Sequence, residues 1–189
     1  MRRKVGVRWR GGLALAATIA MAMACAAVAQ PRGAEWRQAT DAELKSVIPA
    51  RAPVVTERIE TEMRSASGVT NGKGKYIAGV VLITAGYSAE GKYSHFFLTQ
   101  APIRVGDSVR LPAGEYVIGY EHGDNGLLVH FYEASTGKPV GSVLAKQIPG
   151  TTRVEAFRIW PPEASHAGGS AEHSMIQIGR FGISYQIGG

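Results

Sequence analysis

The chain has 189 residues with 21 Lys or Arg and 15 Asp or Glu, a formal net charge of +6. Five of the basic residues and none of the acids lie in the first ten positions, which leaves 16 basic and 15 acidic residues from Gln30 onward. Nucleic-acid-binding proteins usually carry a basic patch or stripe, and Lys73 and Lys75 form only a small cluster. The charge distribution therefore excludes nucleic acid as an expected partner.

The N-terminal segment has the three parts of a secretory signal peptide. A basic stretch, residues 1–10, precedes an apolar run at residues 12–29, and this run ends in Ala27-Val28-Ala29. A small-x-small triplet at that place is a cleavage site. We expect residues 1–29 to be removed and the protein to be exported to the periplasm or the extracellular space.

Cys25 leaves a second processing route open. The small residues before it resemble a lipoprotein processing site, although Ala22 stands where a Leu is usual. Lipidation would make the protein a lipoprotein, and only then do we expect a membrane partner. Cleavage after Ala29 would instead leave no cysteine, so that no disulfide could stabilise the fold.

The remaining chain is predicted to contain a polar linker at residues 30–39 and one β-rich domain at residues 40–189. Thr40 and Glu43 have the spacing of a capping box at the start of a helix. We expect a short helix from Asp41 to Val47, with its apolar residues on one side and Pro49 after its end.

From Val55 onward the pattern is that of β-strands. Residues 55–65 fit both a helical stripe and strand alternation, and we favour a strand because turn signals at Ser67-Gly68 and Asn71-Gly72 follow. Residues 76–84 are apolar on both faces, as in a fully buried strand. Further strands are expected at residues 93–99, 103–111, 115–121, 127–133, 140–145, 153–160 and 174–187, and a mobile loop at residues 164–172.

Eight or nine short strands, separated by turn signals every 8–12 residues, are typical of an all-β fold. We therefore predict a single antiparallel β-sandwich or small barrel with a short N-terminal helix.

The clearest hairpin turns at Gly123-Asp124-Asn125-Gly126, through a loop of either two residues (Asn125-Gly126) or all four. Either register places His122 and His130 on opposite faces. A zinc site needs at least three converging protein ligands. We therefore expect no metal site, and since no catalytic motif is present either, no catalytic residue and no cofactor.

Four residues are candidates for binding a ligand. His95 lies in a strand among aromatic residues, where a buried, hydrogen-bonded histidine is expected. Glu121 and His130 share a hairpin face, as a cross-strand pair or as the wall of a polar site. Trp160 ends a strand before two prolines, where it either plugs one end of the core or lines a binding surface. Plugging is favoured because Trp is usually well buried.

The segment Leu111-Pro112-Ala113-Gly114-Glu115-Tyr116, followed by a strand and Gly126-Leu127-Leu128-Val129, resembles hairpins of uncharacterised exported bacterial all-β proteins. The blocks at residues 157–162 and 178–181 are similar to parts of the same proteins. The resemblance implies an exported all-β protein, and it assigns no functional residue.

Three functions remain open. The first is a non-enzymatic exported β-domain that binds or supports a cell-envelope component. The alternative is a small barrel or sandwich that binds an apolar small ligand, and the third is an exported hydrolase. A filled core favours the first function, whereas a pocket of several hundred Å³ between the sheets favours the second.

Overall fold

The computed structural model describes residues 36–150, 153–162 and 174–188. These residues form one helix and thirteen strands. The bounds are β1 Arg37–Gln38, α1 Asp41–Val47, β2 Arg51–Val54, β3 Glu57–Thr70, β4 Tyr76–Leu82, β5 His95–Thr99, β6 Ile103–Val105, β7 Val109–Leu111, β8 Gly114–Gly123, β9 Gly126–Glu133, β10 Pro139–Gln147, β11 Glu155–Trp160, β12 Met175–Gly179 and β13 Phe181–Ile187.

Several expectations concern other parts of the chain. The predicted signal peptide with Cys25, the first residues of the predicted linker (30–35) and the whole of the predicted loop at residues 164–172 lie outside the described residues. Within the described ranges, no helix combines the length and the apolar character needed to cross a membrane.

The strands form an antiparallel sheet that is nearly closed as a barrel. Its order is β3-β4-β5-β8-β9-β10-β13-β12-β11, and β11 returns to lie beside β3. β1 and β2 pair with the two ends of β3, and the β6–β7 hairpin pairs with β13. The predicted all-β fold is confirmed, and of the two architectures left open the protein has the barrel-like one.

The barrel interior is filled with bulky apolar side chains, which we call the interior cluster. Side chains alternate across each strand, so one face of every barrel strand contributes to it. Its buried members are Val69, Ile77, Phe97, Ile103, Val105, Val109, Leu111, Tyr116, Ile118, Leu127, Val129, Phe131, Ala145, Phe157, Ile159, Ile176, Ile178, Ile183 and Tyr185.

A second apolar layer explains why β4 is hydrophobic on both faces. Ile77 belongs to the interior cluster, whereas the alternate residues Ala78, Val80 and Leu82 belong to an outer cluster. α1 and β2 supply Leu44, Ile48, Ala52 and Val54 to this outer cluster. The stretch from α1 to β2 therefore covers the barrel wall that would otherwise expose apolar residues to water.

α1 forms as its sequence predicts. The Thr40 hydroxyl accepts a hydrogen bond from the Glu43 amide, and the Glu43 carboxylate accepts one from the Thr40 amide at 2.8 Å. Such a cap stabilises a helix by roughly 1 kcal/mol. It fixes the start of α1 so that Leu44 and Ile48 reach the outer cluster.

The β8–β9 hairpin has the register expected for a four-residue loop, with Gly119 opposite His130. Its ladder continues to the pair Gly123–Gly126, so that Asp124 and Asn125 form the tip, and the alternative Asn125-Gly126 loop is wrong. The register places His122 and His130 on opposite faces, as predicted.

Two further sequence-based expectations are wrong. Ser67 and Gly68 form no turn but continue β3. A Cβ at Gly68 would lie within 3 Å of Ile77 O and of a Leu44 methyl group, so this glycine allows close packing. Arg37 and Gln38, placed in the linker, pair as β1 with Thr70 and Val69 of β3.

The filled interior can be tested by truncating one of its aromatic residues. Phe131 is fully buried and its ring meets that of Phe97 edge to face, with the centroids 6.1 Å apart. We expect Phe131→Ala to lower the free energy of unfolding by about 3–5 kcal/mol in urea denaturation. Leu144→Ala is the control, because Leu144 is 43% exposed on β10. Equal losses in the two variants would contradict a filled interior.

Candidate binding cleft at the barrel seam

At the seam between β3 and β11, the pairing of β3 with β4 contains a large irregularity. Glu62 pairs with Val81 and Ser67 pairs with Gly79, so four residues of β3, 63–66, lie opposite Val80 alone. A β-bulge usually adds one residue to a strand. This larger insertion lifts residues 63–66 out of the β3–β4 ladder.

Two serines of β3 bond backbone groups that a regular ladder would satisfy. Ser65 Oγ accepts a hydrogen bond from the Val81 amide of β4 at 3.0 Å. Ser67 Oγ accepts one from the Ile159 amide of β11 at 2.9 Å. Buried backbone donors need such partners. In the described part of the chain β3 and β11 share no ladder, so Ser67 joins them through its side chain.

Phe157 anchors β11 to the barrel interior. The nearest atom of its ring lies 2.6 Å from the position that a Cβ at Gly79 would occupy. Only glycine therefore allows this close approach. β11 is itself irregular between Glu155 and Arg158. One edge of β11 pairs with β12, and the other edge faces the bulge of β3.

A cleft of about 530 Å³ lies along this seam, and we call it the seam cleft. The bulge of β3 forms one wall, β11 forms the other, and β1 and α1 contribute residues as well. Most of the lining side chains are polar or charged. They are Gln38, Ala39, Asp41, Leu44, Glu62, Arg64, Ser65, Ala66, Ser67, Arg153, Glu155, Ala156, Phe157 and Arg158.

Two ion pairs lie in the seam cleft. Arg64 donates from Nε and Nη2 to the two carboxylate oxygens of Glu62, at 3.0 and 3.1 Å. These hydrogen bonds hold the pKa of Glu62 below its usual range. Arg153 Nε lies 2.6 Å from Glu155 Oε1.

Arg158 differs from the other two arginines of the seam cleft. Its guanidinium lies over the Trp160 ring, 4.5 Å from the centroid. Its Nε is buried and has no hydrogen-bond partner among the described residues. Arginine stacked on an aromatic ring keeps its charge and can bind a planar anion with two parallel hydrogen bonds.

His95 is buried inside the barrel, away from the surface. Its Nδ1 lies 2.8 Å from Ser94 Oγ and its Nε2 lies 3.2 Å from the Ala156 carbonyl oxygen of β11. Burial lowers its pKa to about 4. His95 is therefore neutral at pH 7 and, like Ser67, links β11 to the rest of the barrel.

Glu121 and His130 lie together on the outer face of the β8–β9 hairpin. Glu121 Oε1 is 4.0 Å from His130 Nε2, and His130 Nδ1 is 2.7 Å from Ser142 Oγ. The three residues are in the order of a Ser-His-acid triad. However, Ser142 lies directly opposite His130 in the β9–β10 ladder, and Glu121 is beyond hydrogen-bond distance and 79% exposed. This geometry is that of cross-strand polar pairs.

Trp160 does not plug the core, as the sequence suggested, but lies half-buried on the outer face of β11. Its indole Nε1 donates to Gln177 Oε1 at 3.2 Å. Trp36 instead packs against the interior cluster. The structure thus places His95 inside the barrel, Glu121 and His130 outside on the β8–β9 hairpin, and Trp160 next to the seam cleft.

A smaller apolar pocket of about 180 Å³ lies at one barrel end. The rings of Tyr120, His122 and Phe181 surround it, with successive centroids 5.9 and 6.0 Å apart. Ile178 and Leu127 also line it. Across residues 36–150, 153–162 and 174–188, no group of three or more His, Cys, Asp or Glu side chains is placed to hold a metal ion.

Removing the Ser67 hydroxyl should weaken the closure of the barrel. Ser67→Ala leaves the Ile159 amide without its acceptor, and an unsatisfied buried donor costs about 1–3 kcal/mol of unfolding free energy. Ser184→Ala is the control, because Ser184 is an exposed strand residue. Hydrogen exchange of the Ile159 amide should accelerate only in Ser67→Ala. Unchanged exchange there would show that Ser67 does not hold the seam.

The buried His95 should make the fold weaker in acid. Its pKa is about 4 in the folded state against an ordinary value of 6.5, so the unfolded chain binds the proton more tightly. Stability from His95 is complete above pH 6.5 and is lost as the pH falls towards 4. Between pH 7.5 and 4, the unfolding free energy of the wild type relative to His95→Gln should fall by about 3 kcal/mol. A constant difference would contradict neutral burial.

Comparison of the chain with protein-family models, with curated proteins and with solved structures finds no match. The seam cleft is therefore identified by the geometry of the barrel alone. In that geometry the seam cleft is the place where charged side chains and sheet edges meet.

Proposed function

We propose that this chain is an exported, non-enzymatic binding domain that holds an extended segment of another cell-envelope component in the seam cleft. The export is inferred from the N-terminal pattern of a basic stretch, an apolar run and Ala27-Val28-Ala29. The binding role is inferred from the shape of the barrel.

The filled interior favours this function over a ligand-holding barrel. Barrels that carry a small ligand keep a cavity between their walls. Here Phe97, Phe131 and Tyr185 occupy the interior together with aliphatic residues. The 530 Å³ cleft lies at the seam, and its lining is mainly polar.

The observation that carries the proposal is the insertion at residues 63–66 of β3, which lies outside the β3–β4 ladder and contributes Arg64, Ser65 and Ala66 to the seam cleft. β3 pairs with β2 at residues 57–60 and with β1 at residues 69–70, which leaves the stretch between them facing β11. Sheet edges bind extended peptides through backbone hydrogen bonds, and neighbouring side chains provide specificity. An extended segment lying along the seam cleft could bond to backbone groups of this insertion.

The second candidate function is the binding of a small apolar molecule at the barrel end. The pocket ringed by Tyr120, His122 and Phe181 favours it, because aromatic rings provide contact area for a flat apolar ligand. Its volume of about 180 Å³ limits the ligand to about one ring.

Site-specific photo-cross-linking in cells tests the proposal. A benzoylphenylalanine replaces Arg64, whose side chain is 91% exposed at the seam cleft. The control is Ser108, which lines a separate cleft of about 480 Å³ formed by the β6–β7 turn, β10 and β13. We expect a discrete cross-linked partner from position 64 and none from position 108.

The cross-linked partner must then be shown to occupy the seam. A peptide of its cross-linked segment is added to the purified protein, and amide hydrogen exchange is measured. We expect slower exchange at residues 61–67 of β3 and 157–160 of β11. Protection confined to other strands, or equal cross-linking from position 108, would contradict the proposal.

A further inference from the structure

Some charged residues of the seam cleft have ion-pair partners among the described residues and others do not. Glu62 is hydrogen-bonded to Arg64, and Glu155 forms an ion pair with Arg153. Asp41 lies in the first turn of α1, where a negative charge interacts favourably with the free amides of the helix end. Arg158 is the cation of the cleft that has no ion-pair partner within the described residues.

Arg158 is also held in a fixed position. Its guanidinium stacks on Trp160, and Trp160 is itself fixed by the hydrogen bond from its indole to Gln177. Gln177 is buried and donates to the carbonyl of Gly179 at 3.0 Å. A guanidinium held in this way loses little conformational freedom when it binds an anion.

We infer that the segment bound in the seam cleft carries an acidic side chain and that Arg158 binds its carboxylate. The inference depends on the proposed function, since it specifies the chemistry of the segment that the seam holds. Arg64 and Arg153 are already paired with acids of the cleft, whereas an incoming carboxylate displaces no ion-pair partner in the described part of the chain when it reaches Arg158. A carboxylate matches the planar fork of the guanidinium with two parallel hydrogen bonds.

The test uses synthetic peptides with a strand-forming sequence. The first is acetyl-Ser-Thr-Val-Glu-Val-Thr-Ser-amide, and the second has Gln in place of Glu. A third has the Gln sequence with a free C-terminal carboxylate. Each is titrated into the isotopically labelled protein, purified after expression with its own N-terminal segment. Amide NMR shifts give both the affinity and the residues that are affected.

Three variants are compared with the wild type. Arg158→Ala removes the guanidinium, and Arg158→Lys keeps a charge but not the planar fork. Arg180→Ala removes an equal charge from the β12–β13 turn, away from the lining of the cleft. Thermal denaturation shows whether each variant is folded. If Arg158→Ala does not fold, Arg158→Lys still tests the inference.

The wild type should bind the Glu peptide about tenfold more tightly than the Gln peptide, as expected for a hydrogen bond to a charged group. Arg158→Ala should abolish this preference, Arg158→Lys should reduce it, and Arg180→Ala should leave it unchanged.

Other results would overturn the inference. Equal affinities for the Glu and Gln peptides, with shifts at the seam, would refute the acidic side chain but leave the proposed function intact. Preference for the third peptide would assign Arg158 to a chain terminus instead. If no peptide shifts the seam amides at millimolar concentration, both the inference and the binding of extended segments at the seam fail.

Discussion

Closure of the barrel between β3 and β11 by side chains is the constraint on which the rest of the structure depends. Every other pair of neighbouring barrel strands is joined by a backbone ladder, whereas β11 is bonded across the seam by Ser67 and across the barrel interior by His95 of β5. Phe157 and Ile159 hold β11 in place by burial in the interior cluster. Because few hydrogen bonds cross the seam, local opening should require least free energy there.

Particular residues form the cleft that lies along this closed seam. The insertion lifts residues 63–66 out of the β3–β4 ladder, and Gly79 leaves room for the Phe157 ring. Ser65 and Ser67 then bond the amides that the insertion would otherwise leave unsatisfied. The seam cleft is thus stabilised by its own hydrogen bonds, which distinguishes it from a packing defect.

The sequence predicts local elements of this fold well, and long-range arrangement poorly. The capping box at Thr40 and the two-sided apolar pattern of β4 are visible in the sequence because neighbouring residues determine them. The insertion at residues 63–66 depends on which residue of β4 pairs with Ser67, and no local pattern contains that information. The same applies to Gly68, which looked like part of a turn but is required for close packing against Leu44.

Of the candidate site, the sequence indicated only Trp160, for a related reason. Arg158 and Trp160 alternate on one strand, which could have indicated a stacked pair, but the partner wall at residues 62–67 lies more than ninety positions away. The sequence indicated three titratable residues as ligand-binding candidates, His95, Glu121 and His130. The structure gives His95 a role in closing the barrel and gives the other two a cross-strand contact.

Charges at an open sheet edge have two explanations, and the pattern of pairing separates them. Edge strands are often protected from aggregation by charged residues and bulges, and both occur in β3 and β11. To protect an edge from aggregation, charged residues only have to keep another strand from pairing with it. The ion pairs Glu62–Arg64 and Arg153–Glu155 are sufficient for this. It does not require an arginine stacked on a tryptophan that is itself hydrogen-bonded to a buried glutamine. The fixed arrangement of Arg158, Trp160 and Gln177 therefore supports the proposal that the surface beside them binds a partner.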